Sequence, residues 1–385
     1  MKRNNHSLFF IVFVFFWAGL AVWNFLTPGK VFSANENRYL AEFPEFTLKG
    51  FVSGNYMEDM DDYINDQFVL RDQWITVKVS LERLLQKKEI HSVFFAKDEY
   101  LIEHHTESDV DASLVKKNTE VLKAFVELCK SQIGKDRIKV MLVPTASEIL
   151  KDKLPPFASG TLYHQMDLLD EMKNELGEGV QLPVEDTLYS HKKEYLYYRT
   201  DHHWTSLGAY YAYTLWAEAM DLEPYPQEDF EKVLAADDFY GTLHSKVNTK
   251  VKPDDIYVYN LKEQIDYRIT YDMEYSSTSL YDESKLEGKD KYSVFMEGNH
   301  ALVEVETSNE TGRRLLVLKD SFAHSFVPFA ANHYDTTYMV DLRYYNRNLR
   351  ELMEEKGITD VLVLYNVMGF VKDTDIEKLY TQKDK

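Results

Sequence analysis

Two short segments of this chain carry residue types that can perform acyl chemistry together. Asp201-His202-His203-Trp204 stands just before a helical pattern, and Lys319-Asp320-Ser321-Phe322 stands where an apolar strand gives way to a helix. Between them they supply a carboxylate, an imidazole and a hydroxyl. In that combination a serine attacks a carbonyl carbon, a histidine takes the serine proton, and a carboxylate holds the histidine in one tautomer. Each segment alone also has a plainer reading. Ser321 suits the N-cap of its helix, and Asp201 suits a capping residue flanked by surface histidines.

Spacing assigns the roles. If the chain is extended before its helix, residues two apart point the same way. Asp201 and His203 then share a face, with His202 opposite, so His203 is the expected base and Asp201 its orienter. Thr205 or Ser206 caps the helix that follows. The positive end of that helix disfavours an imidazolium and keeps His203 a base near neutral pH. Ser321 lies at the strand-to-helix turn, where the first helical N–H groups can hold an oxyanion. Ser325 lies a full turn further on and is the poorer nucleophile. No metal is expected, because adjacent histidines rarely converge on one ion and no further ligand stands at a suggestive spacing. No cofactor is expected either: there is no GxGxxG, P-loop or HExxH pattern.

The elements that must position these residues read as α/β. Helical patterns over 114–133, 163–176, 207–220, 322–332 and 346–356 alternate with short apolar strands over 138–143, 180–184, 314–318, 336–340 and 360–364. That alternation implies a parallel sheet covered on both faces. Ligands of such sheets bind beyond the carboxyl ends of the strands. Thr145, Asp341, Arg343, Tyr365 and Asn366 fall there, and Arg199 directly precedes the histidine segment. Arg199, Arg343, Asn366 and Thr145 are the substrate-binding candidates, with Asn366 also able to donate to an oxyanion. Turn capping or a structural role is the alternative for each. The many tyrosines suit sugar rings, but tyrosines at helical or strand spacing are mostly packing.

Residues from about 222 to 310 break the pattern. They are rich in Tyr and Asp, with alternation such as Asp255-Ile256-Tyr257-Val258-Tyr259, and read as an insertion of antiparallel character lying over or beside the sheet. Ahead of the α/β region, 56–85 is an amphipathic segment with Tyr63, Phe68, Leu70 and Trp74, and 93–102 reads as a strand, a turn and a return. There is no internal repeat and no Pro- or Gly-rich linker.

At 385 residues, 44% of them hydrophobic, the chain is long and apolar enough for one large core. A formal net charge of -20 argues against nucleic acid or an anionic membrane surface as the main partner. Cys129, the single cysteine, sits in an apolar helical pattern and reads as structural; no internal disulfide is possible. Lys2 and Arg3 precede an apolar run that continues to about Leu26, close to the ~20 residues that span a bilayer. The positive-inside rule then exports the rest of the chain. A cleaved signal peptide is the rival, but the run is long for one and Phe32-Ser33-Ala34 is a poor cleavage site. The expected organisation is a membrane anchor at 1–28, a connecting region at 29–90, and a catalytic domain at 91–385 that carries the insertion.

The stretch Tyr198-Arg199-Thr200-Asp201-His202-His203-Trp204-Thr205-Ser206-Leu207-Gly208-Ala209-Tyr210 resembles the bacterial DHHW protein family, which is similar to the SGNH-hydrolase-like alginate O-acetylation proteins. The resemblance runs from about residue 37 onward and includes Phe239-Tyr240-Gly241-Thr242-Leu243 and 318–322, with 360–367. It implies an SGNH-like three-layer α/β/α sandwich with a central parallel sheet, and it places the family's acid, base and nucleophile on Asp201, His203 and Ser321. It also implies a polysaccharide acceptor and a membrane-bound O-acyltransferase partner. In ordinary SGNH hydrolases the serine comes first and the Asp and His last; here Asp and His precede Ser, as in the alginate proteins, and Lys319 stands where the hydrolases carry Gly. That order favours transfer over hydrolysis by analogy.

The resulting expectation is a membrane-anchored, extracytoplasmic O-acetyltransferase acting on a cell-surface or exo-polysaccharide through an acyl-serine. A carbohydrate esterase with the same triad and a non-catalytic scaffold subunit of a polysaccharide-modifying complex are the alternatives.

Overall fold

The computed structural model describes residues 5–33 and 38–379. Lys2, Arg3 and Ala34, on which the orientation and cleavage arguments draw, lie outside them. The chain forms two compact units, Met1–Lys87 with Ser245–Lys250, and Lys88–His244 with Val251–Lys385.

In the first unit an N-terminal helix, Asn5–Leu26, contains Leu8–Leu26, a stretch of mean hydropathy 2.2 with none of its most apolar window buried. Among the described residues it is the one helix long and apolar enough to cross a membrane, and it fits a single-pass anchor or a signal sequence. The amphipathic 56–85 segment is two helices, Asn55–Gln67 and Arg71–Leu84, because Leu70 takes a left-handed conformation (φ 58°) between them. The Val69 N–H in that turn donates to Asn24 Oδ1 at 2.7 Å.

The second unit is built on a seven-stranded sheet. Its strands and the hairpin beside it are β1 (Ile138–Val143), β2 (Phe230–Phe239), β3 (Asp254–Leu261), β4 (Tyr267–Tyr271), β5 (Tyr275–Ser277), β6 (Leu302–Thr307), β7 (Arg314–Lys319), β8 (Thr336–Val340) and β9 (Asp360–Asn366). The sheet order is β5-β4-β6-β8-β7-β9-β1. The four strands β8, β7, β9 and β1 are mutually parallel, so their carboxyl ends open on one edge. Strands β6, β4 and β5 continue the sheet in antiparallel fashion from β8. Much of the inserted region thus extends the sheet itself; only β2 and β3 pair separately, as a two-stranded ribbon.

Alternation along the parallel strands divides the core into two faces. Met141, Val143, Leu315, Val317, Leu362 and Leu364 belong to one cluster, together with side chains of α3 (Ser206–Ala219) and α4 (Ala323–Ala330). Val140, Leu142, Leu316, Leu318, Val361 and Val363 belong to the other. That second face is covered by α1 (Ala112–Ile133), α2 (Gln165–Leu176), α5 (Leu349–Lys356) and α6 (Val367–Lys372). Fully buried parallel strands read as unbroken apolar runs for this reason. The sandwich is α/β/α, as the alternation of elements requires. Cys129 is buried on α1, and burial pushes its thiol up to about 12, so it stays protonated.

One expected strand is absent. Residues 180–182 pair with Val140 through Val140 N–H to Val180 O and Leu182 N–H to Val140 O, both 2.9 Å. The pairing stops at Pro183, which has no N–H to give, and Val184 opens a helix, Val184–Ser190.

Candidate active site

The histidine segment is not extended. Tyr197 and Trp204 bridge across it, the Tyr198 N–H reaches His203 O at 3.2 Å, and the Thr205 N–H reaches Leu196 O at 2.8 Å. Residues 199–203 are therefore a tight loop. Asp201 and His203 meet inside it through an Asx turn: Asp201 Oδ1 accepts the His203 backbone N–H at 3.0 Å. The same oxygen accepts from ring Nδ1 at 2.6 Å. Asp201 and His203 thus meet as their spacing suggested, but through a turn rather than a shared strand face, and His202 does not lie opposite them. That ring lies beside His203, with centroids 3.9 Å apart, and its Nδ1 is 2.8 Å from Thr242 Oγ1. Thr205 supplies the cap of α3, accepting the Gly208 N–H at 3.3 Å.

His203 Nε2 lies 2.7 Å from Ser321 Oγ. With Nδ1–H given to Asp201, Nε2 carries the lone pair that accepts the serine proton; the network assigns this tautomer. Ser321 sits in the turn after β7, and it does not cap α4. Asp320 Oδ1 accepts the Phe322 N–H at 2.9 Å, an Asx turn that shapes the chain just ahead of the helix. Asp320 Oδ2 accepts both the Asn366 N–H and the Asn366 side-chain amide at 2.7 Å, tying β7 to the end of β9. Among the described residues the Ser321 N–H has no backbone acceptor. The Trp204 indole donates to Phe322 O at 3.0 Å, which fixes the histidine loop against the serine turn.

Burial and charge oppose each other at these groups. Burial pushes the Asp201 carboxyl up, but the charges of His202 and His203 and the hydrogen bonds from His203 and Thr242 outweigh it and hold the carboxyl well below its usual range. His203 is lowered, first by burial and then by the charge of His202, against the pull of Asp201. Asp320 is pushed up to about 6 by burial, partly offset by the N–H groups of Asn366 and Phe322.

The other expected site residues have partners of their own. Arg199 stacks over Tyr195 (4.5 Å to the ring centroid) and Tyr100 (5.5 Å), with a guanidinium nitrogen 3.9 Å from Asp254. Arg343 grips Asp341 with two nitrogens, at 2.8 and 2.6 Å, and keeps 39% of its side chain exposed. Asn366 gives its amide to Asp320, and its Oδ1 accepts the Gly369 N–H at 2.8 Å as the cap of α6. Thr145 is buried, accepting from Gln165 Nε2 at 2.8 Å and sharing a 2.9 Å bond with Ser147. Thr145, Arg343 and Asn366 stand at the same sheet edge as Ser321, as the parallel strands dictate.

Lys319 is fully buried, with Nζ 2.8 Å from His324 Nε2 and 3.1 Å from Asp341 Oδ2. Burial, then the charge of Lys319, takes His324 well below its usual range, so it is neutral.

Asp201, His202 and His203 offer ligand atoms within 4.8 Å of one another, a grouping able to hold a metal ion. Both ring nitrogens of His203 already have hydrogen-bond partners, Asp201 and Ser321. A metal on either would displace one of them.

Three groups escaped the sequence reading. Thr242 donates to Asp201 Oδ2 through its N–H (2.8 Å) and its hydroxyl (3.0 Å); it lies in the Phe239–Leu243 stretch quoted for the resemblance, which was the available signal. Asp254 is buried and accepts from Arg199 N–H (2.8 Å), Thr200 N–H (2.7 Å), the Thr200 hydroxyl (2.6 Å) and the Tyr195 hydroxyl. It anchors the start of the histidine loop from fifty residues away, and its only sequence mark is a carboxylate opening an alternating strand. Tyr292 packs on His203 and has no sequence mark beyond being one tyrosine among many.

The sandwich with Ser321, His203 and Asp201 at the carboxyl edge of its parallel strands defines a protein of the SGNH-hydrolase-like fold. A family model described as DHHW protein matches residues 108–340, more than half of the chain, and the chain belongs to that family. A DHHW family protein from Eubacterium siraeum shares 25% identity and a TM-score of 0.62, covering 76% of this chain and 95% of that one. PatB1 of Bacillus cereus, solved with a sulfonyl adduct, gives 17% identity and a TM-score of 0.60 over 76% of this chain and 100% of that one. PatB1 solved on its own matches at 18% identity and the same TM-score, over 74% of this chain and 98% of that one. No curated protein matches the chain.

Proposed function

We propose that the chain is a membrane-anchored, extracytoplasmic O-acetyltransferase that acylates a cell-surface or exo-polysaccharide through Ser321. The observation that carries this reading is the 2.7 Å approach of Ser321 Oγ to His203 Nε2, with Asp201 on the other ring nitrogen. Ser321 Oγ attacks the carbonyl carbon of the acyl donor while Nε2 takes its proton, leaving an imidazolium paired with Asp201. The Ser321 N–H, which has no backbone acceptor among the described residues, is available to the developing oxyanion, and the second hydrogen of the Asn366 amide can serve as a further donor. Collapse expels the donor's leaving oxygen, which takes the proton from His203 and leaves an acyl-serine. A sugar hydroxyl then gives its proton to His203 and attacks the ester carbonyl; the bond to Ser321 Oγ breaks, and that oxygen takes the proton back from His203.

The order of the triad, with Asp201 and His203 ahead of Ser321 as in the alginate O-acetylation proteins that the chain resembles, supports transfer over hydrolysis by analogy. The resemblance supports a membrane-bound O-acyltransferase as the partner that supplies the acyl group, and the Leu8–Leu26 helix would hold both at one membrane.

The test uses the full-length chain with 4-nitrophenyl acetate as donor. Intact-protein mass should rise by one acetyl group, a sulfonyl fluoride should block this, and Ser321→Ala should abolish it. Adding acetyl-free oligosaccharides should move acetyl to sugar faster than to water. Acetate release unaffected by every sugar tried would make the chain an esterase, and acylation untouched in Ser321→Ala would leave a scaffold role. The protein should also stay with the membrane fraction after high-salt and carbonate washes; release of a shortened chain would show a signal peptide instead.

A further inference from the structure

Tyr292 stands in a short turn, Lys291–Val294, of the inserted region, and only 3% of it is exposed. Its ring lies flat on the imidazole of His203, with centroids 3.9 Å apart and planes 11° from parallel. Its hydroxyl is 3.1 Å from the backbone oxygen of Ser321 and 3.1 Å from Ser325 Oγ. A carbonyl only accepts, so the single phenol hydrogen goes to Ser321 O and Ser325 must donate to the phenol oxygen. Phe295 and Tyr198 hold the ring from its other sides, at 5.3 and 6.2 Å.

We infer that Tyr292 is a positioning residue of the triad, fixing the plane of the His203 imidazole with its ring and the Ser321 turn with its hydroxyl. This rests on the reading of Ser321 and His203 as nucleophile and base. Asp201 fixes one ring nitrogen but not the plane of the imidazole; His202 and Phe322 flank the ring at 37° and 47°, and Tyr292 lies closest to parallel with it. A ring stacked at van der Waals distance sets that plane, so Nε2 stays aimed at Oγ. The hydroxyl sets the distance from the other side, because moving the Ser321 carbonyl moves its Oγ. One side chain thus registers base and nucleophile against each other, although they lie 118 residues apart. The stack also places a π face against the imidazolium that forms when serine gives up its proton, an arrangement that favours the cation. The inserted region acquires a function by this route, since it delivers the residue that the α/β core lacks.

Simple packing would also bury a tyrosine here, so the test must separate the two. The full-length chain in detergent is acylated with 4-nitrophenyl acetate, and the acylation rate at saturating ester is measured from pH 5 to 9. Tyr292→Phe keeps the ring and loses the hydroxyl; its saturating rate should fall about three- to tenfold, with KM unchanged. Tyr292→Leu loses the stack as well and should fall about a hundredfold or more, again with KM unchanged. Circular dichroism and thermal melting establish that each variant is folded. A folded Tyr292→Leu with the wild-type saturating rate overturns the inference. Should Tyr292→Leu not fold, Tyr292→Phe decides alone, and a wild-type rate there overturns it. Ser321→Ala is run alongside: if acylation persists in it, the triad reading fails and this inference with it. If Ser321→Ala is silent and the Tyr292 variants match wild type, only this inference fails.

Discussion

Asp201 holds His203 twice with one oxygen, accepting the backbone N–H at 3.0 Å and the ring Nδ1–H at 2.6 Å. The first bond shapes the loop and the second selects the tautomer. Folding and catalysis therefore draw on the same atom, yet a substitution can separate them.

Asp201→Asn makes that separation. An asparagine can keep its oxygen toward His203 and preserve the turn, but it removes the charge that stabilises an imidazolium. Its amide nitrogen also replaces the oxygen that accepts the Thr242 N–H. Acylation of Ser321 should fall about 10³- to 10⁴-fold in a protein that still folds. The variant should also change the acid response. The Asp201 carboxyl titrates below its usual 3.8, so it contributes stability that is present above that value and lost as pH falls through its lowered folded value. Urea melts between pH 2 and 5 should show wild type losing more stability than Asp201→Asn towards the acid end.

The pH dependence of the reaction follows from His203. Its imidazole must be neutral to take the serine proton, and burial with the charge of His202 lowers its pKa from 6.5. Activity should rise with pH along an acid limb whose midpoint lies below 6.5. The acylation rate under saturating ester, measured from pH 4 to 8, checks this; a midpoint above 6.5 contradicts it.

The alternation of helices with apolar runs such as residues 140–143 made the parallel sheet legible, because strands buried on both faces leave no polar period to confuse them. The place of Ser321, in the turn just past a buried strand, was legible for the same reason. The loop at 199–203 was not. Its shape depends on Asp254, Thr242 and the bridge between Tyr197 and Trp204, contacts that sequence spacing does not encode. The antiparallel half of the sheet was blurred likewise, since Leu302–Thr307 carries two glutamates and reads as neither core nor surface. Arg343 illustrates the remainder. Its position at a strand end was readable, but its grip on Asp341, itself tied to buried Lys319, was not.

Asp254→Ala should test how far the loop depends on its remote anchor. The carboxylate accepts two backbone N–H groups and two hydroxyls. Alanine leaves buried donors unpaired, each costing about 1–3 kcal/mol. Burial raises the Asp254 carboxyl above its usual pKa, so the anchor carries its own desolvation cost, which alanine removes. The net expectation is a loss of about 2–4 kcal/mol in urea unfolding. The saturating acylation rate of the folded fraction should fall as well, because Arg199 and Thr200 lead directly into Asp201. Lost stability with an unchanged rate would mean that the loop holds its shape without the anchor.

Gly241 gives the sharpest steric test of the site. A Cβ built there would fall inside contact distance of the Asp201 side chain, meeting its Cβ, Cγ and Oδ2. The Gly241 N–H donates to Thr200 Oγ1 at 3.0 Å, and the next residue gives its N–H to Asp201 Oδ2 at 2.8 Å. The backbone is therefore pinned on both sides and cannot retreat. In Gly241→Ala the whole Asp201 side chain must move instead, from its Cβ outward, and it cannot do so without losing Thr242 or His203. Overpacking of this kind costs about 1–3 kcal/mol. The distinctive expectation is the ratio of effects: a modest drop in melting temperature with a loss of acylation approaching that of Asp201→Asn. A crystal structure of the variant should show the Asp201 side chain displaced from His203 Nδ1. An undisturbed Asp201 and full activity would mean that the loop of residues 239–243 yields more easily than its hydrogen bonds imply.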